Sequence, residues 1–212
     1  ISGGTIDTDF ALDLLKKEKY DHIIGVDGAL KFCKEQNIVP TRIVGDFDTL
    51  DPEILTWYQT HTQIEIRQFN PVKDATDTQI AIELAMELGS RKITLIGGTG
   101  TRLDHVLGNI QTLYLPFAKG IDCRIVDAHN RIRLVSGELH LKMTEQWGKY
   151  VSLIPFTTDV EGVDLIGFKY PLEKFSFTVL GTGSRGVSNE IAEEEAVIRI
   201  EKGIMILVES KD

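Results

Sequence analysis

The chain has 212 residues, of which 42% are hydrophobic and 26% are charged, and this composition is typical of a globular protein. It supplies enough apolar residues for a hydrophobic core, so a fully disordered or collagen-like chain is excluded. The net charge of −9 argues against non-specific binding of nucleic acids, although an acidic site can hold a phosphate ligand through Mg²⁺.

Over residues 1–128, short apolar runs alternate with stretches of helical spacing. The runs are rich in Ile and Val and show little alternation of apolar and polar residues, which is typical of strands buried on both faces of a parallel sheet. A helix is predicted at 78–88, and Asp51 followed by Pro52 predicts the start of another. We therefore predict a doubly wound, mostly parallel α/β domain over residues 1–128, with strands at 22–26, 42–45, 63–68, 92–96 and 123–126.

The pattern changes at about residue 129. From there, strand-like runs follow one another without a convincing helix, at 131–135, 139–143, 150–155, 175–180, 196–201 and 204–209. Lys202 and Gly203 separate the last two runs and predict a hairpin turn. We therefore predict a small antiparallel β-sandwich or barrel over residues 129–212, and we favour the sandwich. Since about 80 residues form only a small core, we expect it to pack on the first domain or on a second copy of itself.

The two cysteines, Cys33 and Cys123, lie in separate apolar stretches and form no C-x-x-C pair. A disulfide scaffold and a cysteine-rich zinc site are excluded, and buried, reduced thiols in a cytoplasmic protein are expected. No run approaches the roughly 20 apolar residues that span a bilayer, so we expect neither a membrane span nor a signal peptide. Residues 1–4 have the composition of a strand end, and we expect the natural chain to begin a few residues earlier.

Acidic residues follow the predicted strands of the first domain. Ligands bind beyond the carboxyl ends of the strands in a doubly wound sheet, and six aspartates lie at such positions: Asp27, Asp46, Asp48, Asp74, Asp77 and Asp104. Alternate residues of an extended segment point the same way, so Asp46 and Asp48 could aim at one Mg²⁺. Each aspartate alone is more typical of a turn or a helix cap. Together they would repel one another unless a cation neutralised them, so the set predicts a Mg²⁺–phosphate site.

A glycine-rich turn at 97–100 precedes a predicted helix, whose free N–H groups could bind a phosphate. The turn lacks both the G-x-x-x-x-G-K-[ST] pattern of a P-loop and the third glycine of a dinucleotide fingerprint. The glycines alone are therefore a weak signal.

Five motifs, in order along the chain, resemble the thiamine pyrophosphokinase family in its bacterial form. They are GVDGA at 25–29, GDFDT at 45–49, KDATD at 73–77, GGTGTRLDH at 97–105 and SRGVSNE at 184–190. Each motif alone is modest, whereas the five together are highly specific and cover nearly the whole chain. The chain departs from the family pattern at the single Gly28, where two glycines are common, and at Thr49, where serine is common.

The resemblance implies an α/β catalytic domain at 1–128 that binds ATP and Mg²⁺, and a thiamine-binding β-sandwich at 129–212. It implies a homodimer with its active sites between the subunits. The net charge and the lack of a long apolar run lead us to expect no nucleic-acid and no membrane partner. The implied reaction transfers the pyrophosphoryl group of ATP to the hydroxyl of thiamine by in-line displacement, giving thiamine diphosphate and AMP.

The resemblance also implies roles for single residues. Asp46, Asp48 and Asp77 would hold Mg²⁺ on the ATP phosphates. The supporting carboxylates would be Asp27, Asp74 and Asp104, and which carboxylate acts as general base stays open. The residues expected to contact the ligands are Lys73, Gly98, Thr99, Arg102, His105, Asn109, Ser184, Ser188 and Asn189. Trp147 and Phe175 are candidate aromatic walls for thiamine, although core packing suits each of them better.

Three alternative functions remain. A metal-dependent glycosyltransferase also combines Asp-x-Asp with a nucleotide, but it would use a sugar donor. A phosphatase of the haloacid-dehalogenase type needs D-x-D-x-[TV], and Leu50 at the last position argues against it. A non-catalytic module that binds thiamine or a metal would bind its ligand without forming AMP.

Overall fold

The computed structural model describes residues 1–48, 50–69 and 75–212. Contacts within the chain divide it into two compact units, Ile1–Ala128 and His129–Asp212, each with a hydrophobic core of its own. The first unit is an α/β structure and the second is built from antiparallel strands, so the predicted fold class is confirmed.

The described part of the first unit contains five strands, which lie where the sequence predicts them. They are β1 (Ile24–Val26), β2 (Arg42–Gly45), β3 (Glu65–Gln68), β4 (Lys92–Ile96) and β5 (Asp122–Val126). β2 pairs in parallel with β1 and β3, and β4 pairs in parallel with β5. Residues 1–2 connect β1, the first of three paired strands, to β4 of the other pair. The N–H of Val26 donates to the carbonyl of Ile1, and the N–H of Ser2 donates to that of Ile96. The loops that follow β1, β2 and β4 therefore leave one edge of the sheet.

Helices connect these strands, and their bounds are α1 (Thr8–Lys17), α2 (Ala29–Glu35), α3 (Pro52–His61), α4 (Asp77–Glu87), α5 (Leu103–Thr112) and α6 (Tyr114–Phe117). α3 begins as predicted, since Asp51 Oδ1 accepts a hydrogen bond of 2.9 Å from the N–H of Glu53. α4 is capped by Thr76, whose hydroxyl accepts from the N–H of Gln79 at 3.2 Å. Because Thr76 supplies the cap, the carboxylate of Asp77 is not needed for that purpose.

Two neighbouring residues of β2 show why this strand is apolar on both of its faces. Ile43 belongs to a core cluster with residues of α2 and α3, whereas Val44 belongs to a cluster with Ala81 and Leu84 of α4. Successive side chains of a strand point to opposite faces, so both faces of β2 are covered by helices. This arrangement is the doubly wound packing that the Ile- and Val-rich runs predict.

The second unit contains β6 (Asn130–Lys142), β7 (Tyr150–Pro155), β8 (Asp159–Ile166), β9 (Leu172–Thr178), β10 (Asn189–Glu190) and β11 (Glu195–Ser210). β11 pairs in antiparallel fashion with β6, β7 and β8, while β9 extends the sheet from β8 and β10 pairs with β7. The buried side chains of Val160, Phe177, Ile198 and Leu207 lie in one core cluster. Met143–Glu145 form a short 3-10 helix.

The prediction of a hairpin turn at Lys202 and Gly203 is wrong. β11 runs without interruption through both residues, and its register with β6 shifts between Ile200 and Met205. Gly203 has φ +101°, and Gly137 of β6, which pairs with Ile200, has φ +67°. Bulges with glycine in such conformations bend a long strand without ending it, and in the sequence they have the same composition as a turn.

The sequence pattern does not indicate β8. Three carboxylates and a glycine interrupt its apolar residues, and only the packed sheet shows which residues face the core. No helix in the described parts of the chain is both long enough and apolar enough to cross a membrane.

Candidate active site

A cavity of about 750 Å³ lies in the first unit, at the carboxyl ends of its strands. Its volume is in the range of small-molecule binding sites. Its walls come from the loops after β1, β2 and β4, from the start of α4 and from one side of α5. The lining side chains predicted from the sequence are Asp27, Asp46, Asp48, Asp77, Thr99, Arg102, His105 and Asn109, together with Gly98.

Three carboxylates converge in this cavity. One oxygen from each of Asp27, Asp46 and Asp48 lies within 4.8 Å of the other two. A divalent cation about 2.0–2.6 Å from each oxygen could bridge such a group, and hard cations prefer oxygen ligands. Partial desolvation, followed by the negative charges of Asp46, Asp27 and Asp77, raises the pKa of Asp48. The residues present therefore fit a divalent cation. Asp27 belongs to the group of three, although a supporting role was predicted for it, whereas the predicted ligand Asp77 lines the cavity without being one of the three.

The backbone turns between Asp46 and Asp48, contrary to the predicted extended segment. Phe47 has φ +61°, in the left-handed region that non-glycine residues seldom adopt. The N–H of Asp48 donates to Asp46 Oδ1 at 3.3 Å across this turn. Asp27 also has a positive φ, of 42°, at the end of β1. The two carboxylates of the motif do converge, but a turn at Phe47 brings them together.

Residues 2–5 form a wall of the cavity that the sequence analysis did not assign to the site. The N–H of Gly4 donates to the carbonyl of Gly97 at 2.9 Å, and the N–H of Thr5 donates to that of Thr99 at 2.9 Å. The segment therefore lies along the glycine-rich turn. The available signal was Gly3-Gly4 directly after a strand end, which is the same pattern that identified the turn at 97–100.

Two hydrogen bonds between buried groups stabilise the lining of the cavity. The buried Asn109 donates from Nδ2 to the carbonyl oxygen of Gly98 at 2.8 Å, so this side chain fixes the glycine-rich turn. The hydroxyls of Ser2 and Thr78 are hydrogen-bonded at 2.7 Å, and both residues are buried. That pair connects the first residues of the chain to the N-terminal turn of α4, next to Asp77.

Arg102 lies at the rim of the cavity and pairs with Asp104, with Nη2 2.6 Å from Oδ2. The hydrogen-bonded guanidinium lowers the pKa of Asp104. Asp104 itself is not among the residues that line the cavity, whereas His105 is. The predicted residues Lys73 and Asp74 lie outside the described residues, as does Thr49.

The residues predicted to bind thiamine lie in the second unit, where Ser184 and Ser188 are exposed. Asn189 is buried: its Oδ1 accepts from the N–H of Tyr170 at 3.0 Å, and its Nδ2 donates to the carbonyl of Tyr170 at 2.8 Å. Its amide therefore holds the backbone of a neighbouring loop. Tyr170 is 59% exposed. The signal in the sequence that could have identified Tyr170 was its place between Lys169 and Pro171, in a stretch without a predicted strand.

Trp147 and Phe175, the two candidate walls for thiamine, are both engaged within the second unit. The guanidinium of Arg131 lies 5.5 Å from the ring centroid of Trp147. Phe175 makes an edge contact with Phe177, with a centroid distance of 4.8 Å. Packing is the role that these contacts support.

An acidic cavity beside a glycine-rich turn, at the carboxyl edge of a parallel sheet, is typical of enzymes that transfer phosphoryl groups with the help of a divalent cation. Comparison with known families agrees with this class. The family model "Thiamin pyrophosphokinase, catalytic domain" matches residues 11–125, and "Thiamin pyrophosphokinase, vitamin B1 binding domain" matches residues 137–205. The chain belongs to the thiamin pyrophosphokinase family.

Individual relatives support the same assignment. The chain is 34% identical to the thiamine pyrophosphokinase of Bacillus subtilis (strain 168) over an alignment of 195 positions, which covers 89% of this chain and 87% of that protein. The crystal structure of the Bacillus subtilis enzyme matches with a TM-score of 0.85 at 31% identity, covering 100% of this chain and 97% of the other. The Geobacillus thermodenitrificans thiamin pyrophosphokinase matches with a TM-score of 0.83 at 31% identity, covering 99% and 95%.

Membership of this family confirms the predicted function. The protein is an enzyme that transfers the pyrophosphoryl group of ATP to thiamine, and ATP is its co-substrate. The glycosyltransferase and the non-catalytic binding module are not favoured.

Proposed function

We propose that pyrophosphoryl transfer takes place in the cavity of the first unit, where Asp46 and Asp48 hold Mg²⁺ together with Asp27, whose oxygen lies near theirs, and with Asp77, the predicted third ligand, which lines the same cavity. The observation that carries the proposal is the convergence of three carboxylate oxygens within 4.8 Å beside a glycine-rich turn. Such a group is electrostatically unfavourable by itself, as the raised pKa of Asp48 indicates. When bound, Mg²⁺ would neutralise negative charge on the phosphates and orient them.

The other residues of the cavity position the ATP phosphates. The backbone of the turn at 97–100 lines the cavity and would contact the phosphates, and Asn109 holds that turn through the carbonyl oxygen of Gly98. Arg102 places a planar guanidinium at the rim, and this group, which pairs with Asp104 in the structure, would exchange that carboxylate for phosphate oxygens when ATP binds. These are the requirements of an in-line transfer, which depends on alignment and charge neutralisation more than on covalent catalysis. Lys73, Asp74 and Asp104 remain predicted contributors.

We propose that thiamine binds against the exposed loop of the second unit that carries Ser184 and Ser188. Thiamine is a cation with two aromatic rings, so it needs aromatic and acidic surroundings. Tyr170 presents an exposed ring whose backbone is held by Asn189, and we favour it over the half-buried Trp147 as the aromatic wall. The ammonium of Lys169 lies 5.6 Å from the centroid of this ring, and the thiamine cation would take its place.

We propose a homodimer in which the second unit of one copy completes the cavity of the other. Exposed apolar side chains on both units support this arrangement, with Leu103 and Leu107 on α5 and Leu180 in the second unit. Contiguous exposed apolar residues are typical of interfaces.

A mixing experiment tests the shared site. Asp48→Asn and Tyr170→Ala proteins, each of which is expected to lose most of its activity alone, are mixed under conditions that allow subunit exchange. If each site uses both copies, mixed dimers contain one intact site, and activity should return to about a quarter of that of the wild type. Mixtures that stay inactive although subunits exchange would contradict the shared site.

We also propose a reducing compartment, such as the cytoplasm. Cys33 and Cys123 are buried free thiols, and burial raises the pKa of Cys33 to about 11 and that of Cys123 to about 12. Thiols of this kind are protonated and unreactive at neutral pH. Cell fractionation with an antibody to the protein would test the location.

The reaction itself is tested with ATP, thiamine and Mg²⁺, by measuring AMP and thiamine diphosphate together. Equal yields of both are expected, and Asp77→Ala or Asp48→Asn should lower the rate by about 100-fold or more, the scale of losing one electrostatic contact to a transition state. Asp13→Asn, at an exposed aspartate of α1, is the matched control. Release of ADP or free phosphate in place of AMP would contradict the proposal.

A further inference from the structure

Phe47 occupies an unusual position between two of the cavity's carboxylates. Its backbone is left-handed, with φ +61°, although it is neither glycine nor asparagine. Its ring is buried in the core cluster that also contains Ile43, Leu50 and Tyr58. A strained conformation of this kind persists only where the surrounding structure holds it.

The ring of Phe47 packs on the backbone that carries the site. A Cβ atom at Gly45 would lie 2.9 Å from Phe47 Cε1 and 3.2 Å from the Cα of Asp27. The ring and the backbone of Asp27 therefore lie against Gly45, where a larger residue has no room. In addition, the N–H of Asp27 donates to the carbonyl of Val44 at 2.9 Å. The ring is thus in position to hold Gly45 and the turn after it relative to Asp27.

We propose that Phe47 is a positioning residue for cation binding. Burial of its ring holds the left-handed turn, and the turn brings the carboxylates of Asp46 and Asp48 together beside Asp27. This inference rests on the proposed function, because it assigns Phe47 a role only if those carboxylates bind the cation. Phe47 itself contacts neither the cation nor the substrates.

The test measures binding of Mn²⁺ to the free protein by electron paramagnetic resonance, so it does not depend on turnover. Phe47→Leu keeps most of the apolar volume but loses the flat ring. Phe47→Gly relieves the backbone strain but removes the anchor. Both variants should weaken Mn²⁺ binding by about 10–100-fold, the usual effect of losing a residue that orients metal ligands. In activity assays, the Mg²⁺ concentration that gives half-maximal activity should rise, while the KM for thiamine should change little.

Tyr58→Leu is the matched control, because Tyr58 lies in the same core cluster but carries no ligand on its flanks. If a loosened core were sufficient, Tyr58→Leu would weaken Mn²⁺ binding as much as Phe47→Leu at an equal loss of Tm, and the inference would be wrong. Wild-type affinity in Phe47→Gly would also overturn it, since the ring would then be unnecessary. If Phe47→Gly does not fold, Phe47→Leu carries the test.

Asp48→Asn separates this inference from the proposed function. If Asp48→Asn leaves Mn²⁺ binding unchanged, the proposed cation site is wrong, and the role of Phe47 is wrong with it. If Asp48→Asn weakens binding while both Phe47 variants behave like Tyr58→Leu, only the role of Phe47 is wrong.

Discussion

Asp48 lies among negative charges, and its protonation links the site to stability. Partial desolvation and the carboxylates of Asp46, Asp27 and Asp77 raise its pKa. An acid whose pKa is higher in the folded protein than in the unfolded chain binds protons more readily when folded. The protein therefore loses stability as the pH rises through the interval between the two pKa values. Above that interval, Asp48 is charged and repels its neighbours unless a cation is bound.

We expect Asp48→Asn to raise the Tm of the metal-free protein at neutral pH, because the amide removes one repelling charge. The gain should disappear below the ordinary Asp pKa of 3.8, where Asp48 is protonated in both states. Added Mg²⁺ should then raise the Tm of the wild type more than that of the variant. Scanning fluorimetry across this pH range checks both effects, with Asp13→Asn as control. A lower Tm for metal-free Asp48→Asn at neutral pH would contradict the argument.

Gly4 packs on the glycine-rich turn without room for a side chain. A Cβ at this position would collide with the carbonyl oxygens of Thr99 and Gly97, which no side-chain rotation can move. We expect Gly4→Ala to displace the turn, to lower the Tm and to lower kcat/KM by about 100-fold, the effect of a displacement of about 1 Å. At Gly28 a Cβ meets no atom of the described residues within 4 Å, so Gly28→Ala should retain the Tm and the kcat/KM of the wild type. Equal losses in the two variants would show that the close packing at Gly4 is unimportant.

At the scale of elements, β6 and β11 share a buried ion pair. Arg131 of β6 and Glu209 of β11 are register partners, and Nε and Nη2 of Arg131 donate to the carboxylate at 2.7 and 2.6 Å. Glu209 is 0% exposed and also accepts from the N–H of Trp147 at 3.3 Å. The pair therefore fixes one register of the two longest strands in the described part of the chain.

We expect Arg131→Met to lower the free energy of unfolding by about 3–5 kcal/mol, because it leaves a buried carboxylate without its counter-charge. The double variant Arg131→Met, Glu209→Leu should recover most of that loss, since neither charge remains. Urea unfolding of the two single variants and the double variant measures the coupling. A loss of less than about 1 kcal/mol in Arg131→Met would contradict this expectation, because exposed ion pairs have effects of that size.

The elements of the first unit were the most predictable. Its strands lie within two residues of their predicted bounds, since each is a local run of Ile and Val between helical stretches. The second unit was less predictable. Gly137 and Gly203 mark bulges within long strands, and only the partner strand distinguishes a bulge from a turn.

At the scale of the whole molecule, α5 and α6 expose apolar side chains in helical spacing. Leu103, Leu107 and Tyr114 are exposed, and the first two lie four residues apart on α5. Residues of the same helix, His105 and Val106, line the cavity, so this exposed surface borders the site. The proposed homodimer would bury it.

We expect Leu107→Glu to weaken dimerisation, because it places a charge in an apolar interface. Val39→Glu is the matched control, since Val39 and Leu107 are both 63% exposed and Val39 lies outside α5 and the cavity lining. Sedimentation equilibrium of both variants and the wild type measures the association. If Leu107→Glu associates as the wild type does, the interface lies elsewhere.

The sequence by itself determined the class of the two folded parts, the reaction and the chemical nature of the site. The fold classes and the acidic nature of the site follow from hydrophobic periodicity and from side-chain types at local spacing, which are properties of short segments. The reaction follows from the resemblance of the five motifs to a known family. Asp27, Asp46, Asp48 and Asp77 could be selected because each follows a strand or begins a helix at one edge of the sheet.

Only the tertiary structure decided how these residues meet. The left-handed turn at Phe47, the packing of its ring on Gly45, and the use of residues 2–5 as a wall all depend on contacts between distant segments. The engagement of Asn189 with the backbone of Tyr170 is of the same kind. Local patterns specify which groups a segment offers, whereas close packing of separate segments specifies the direction in which each group points.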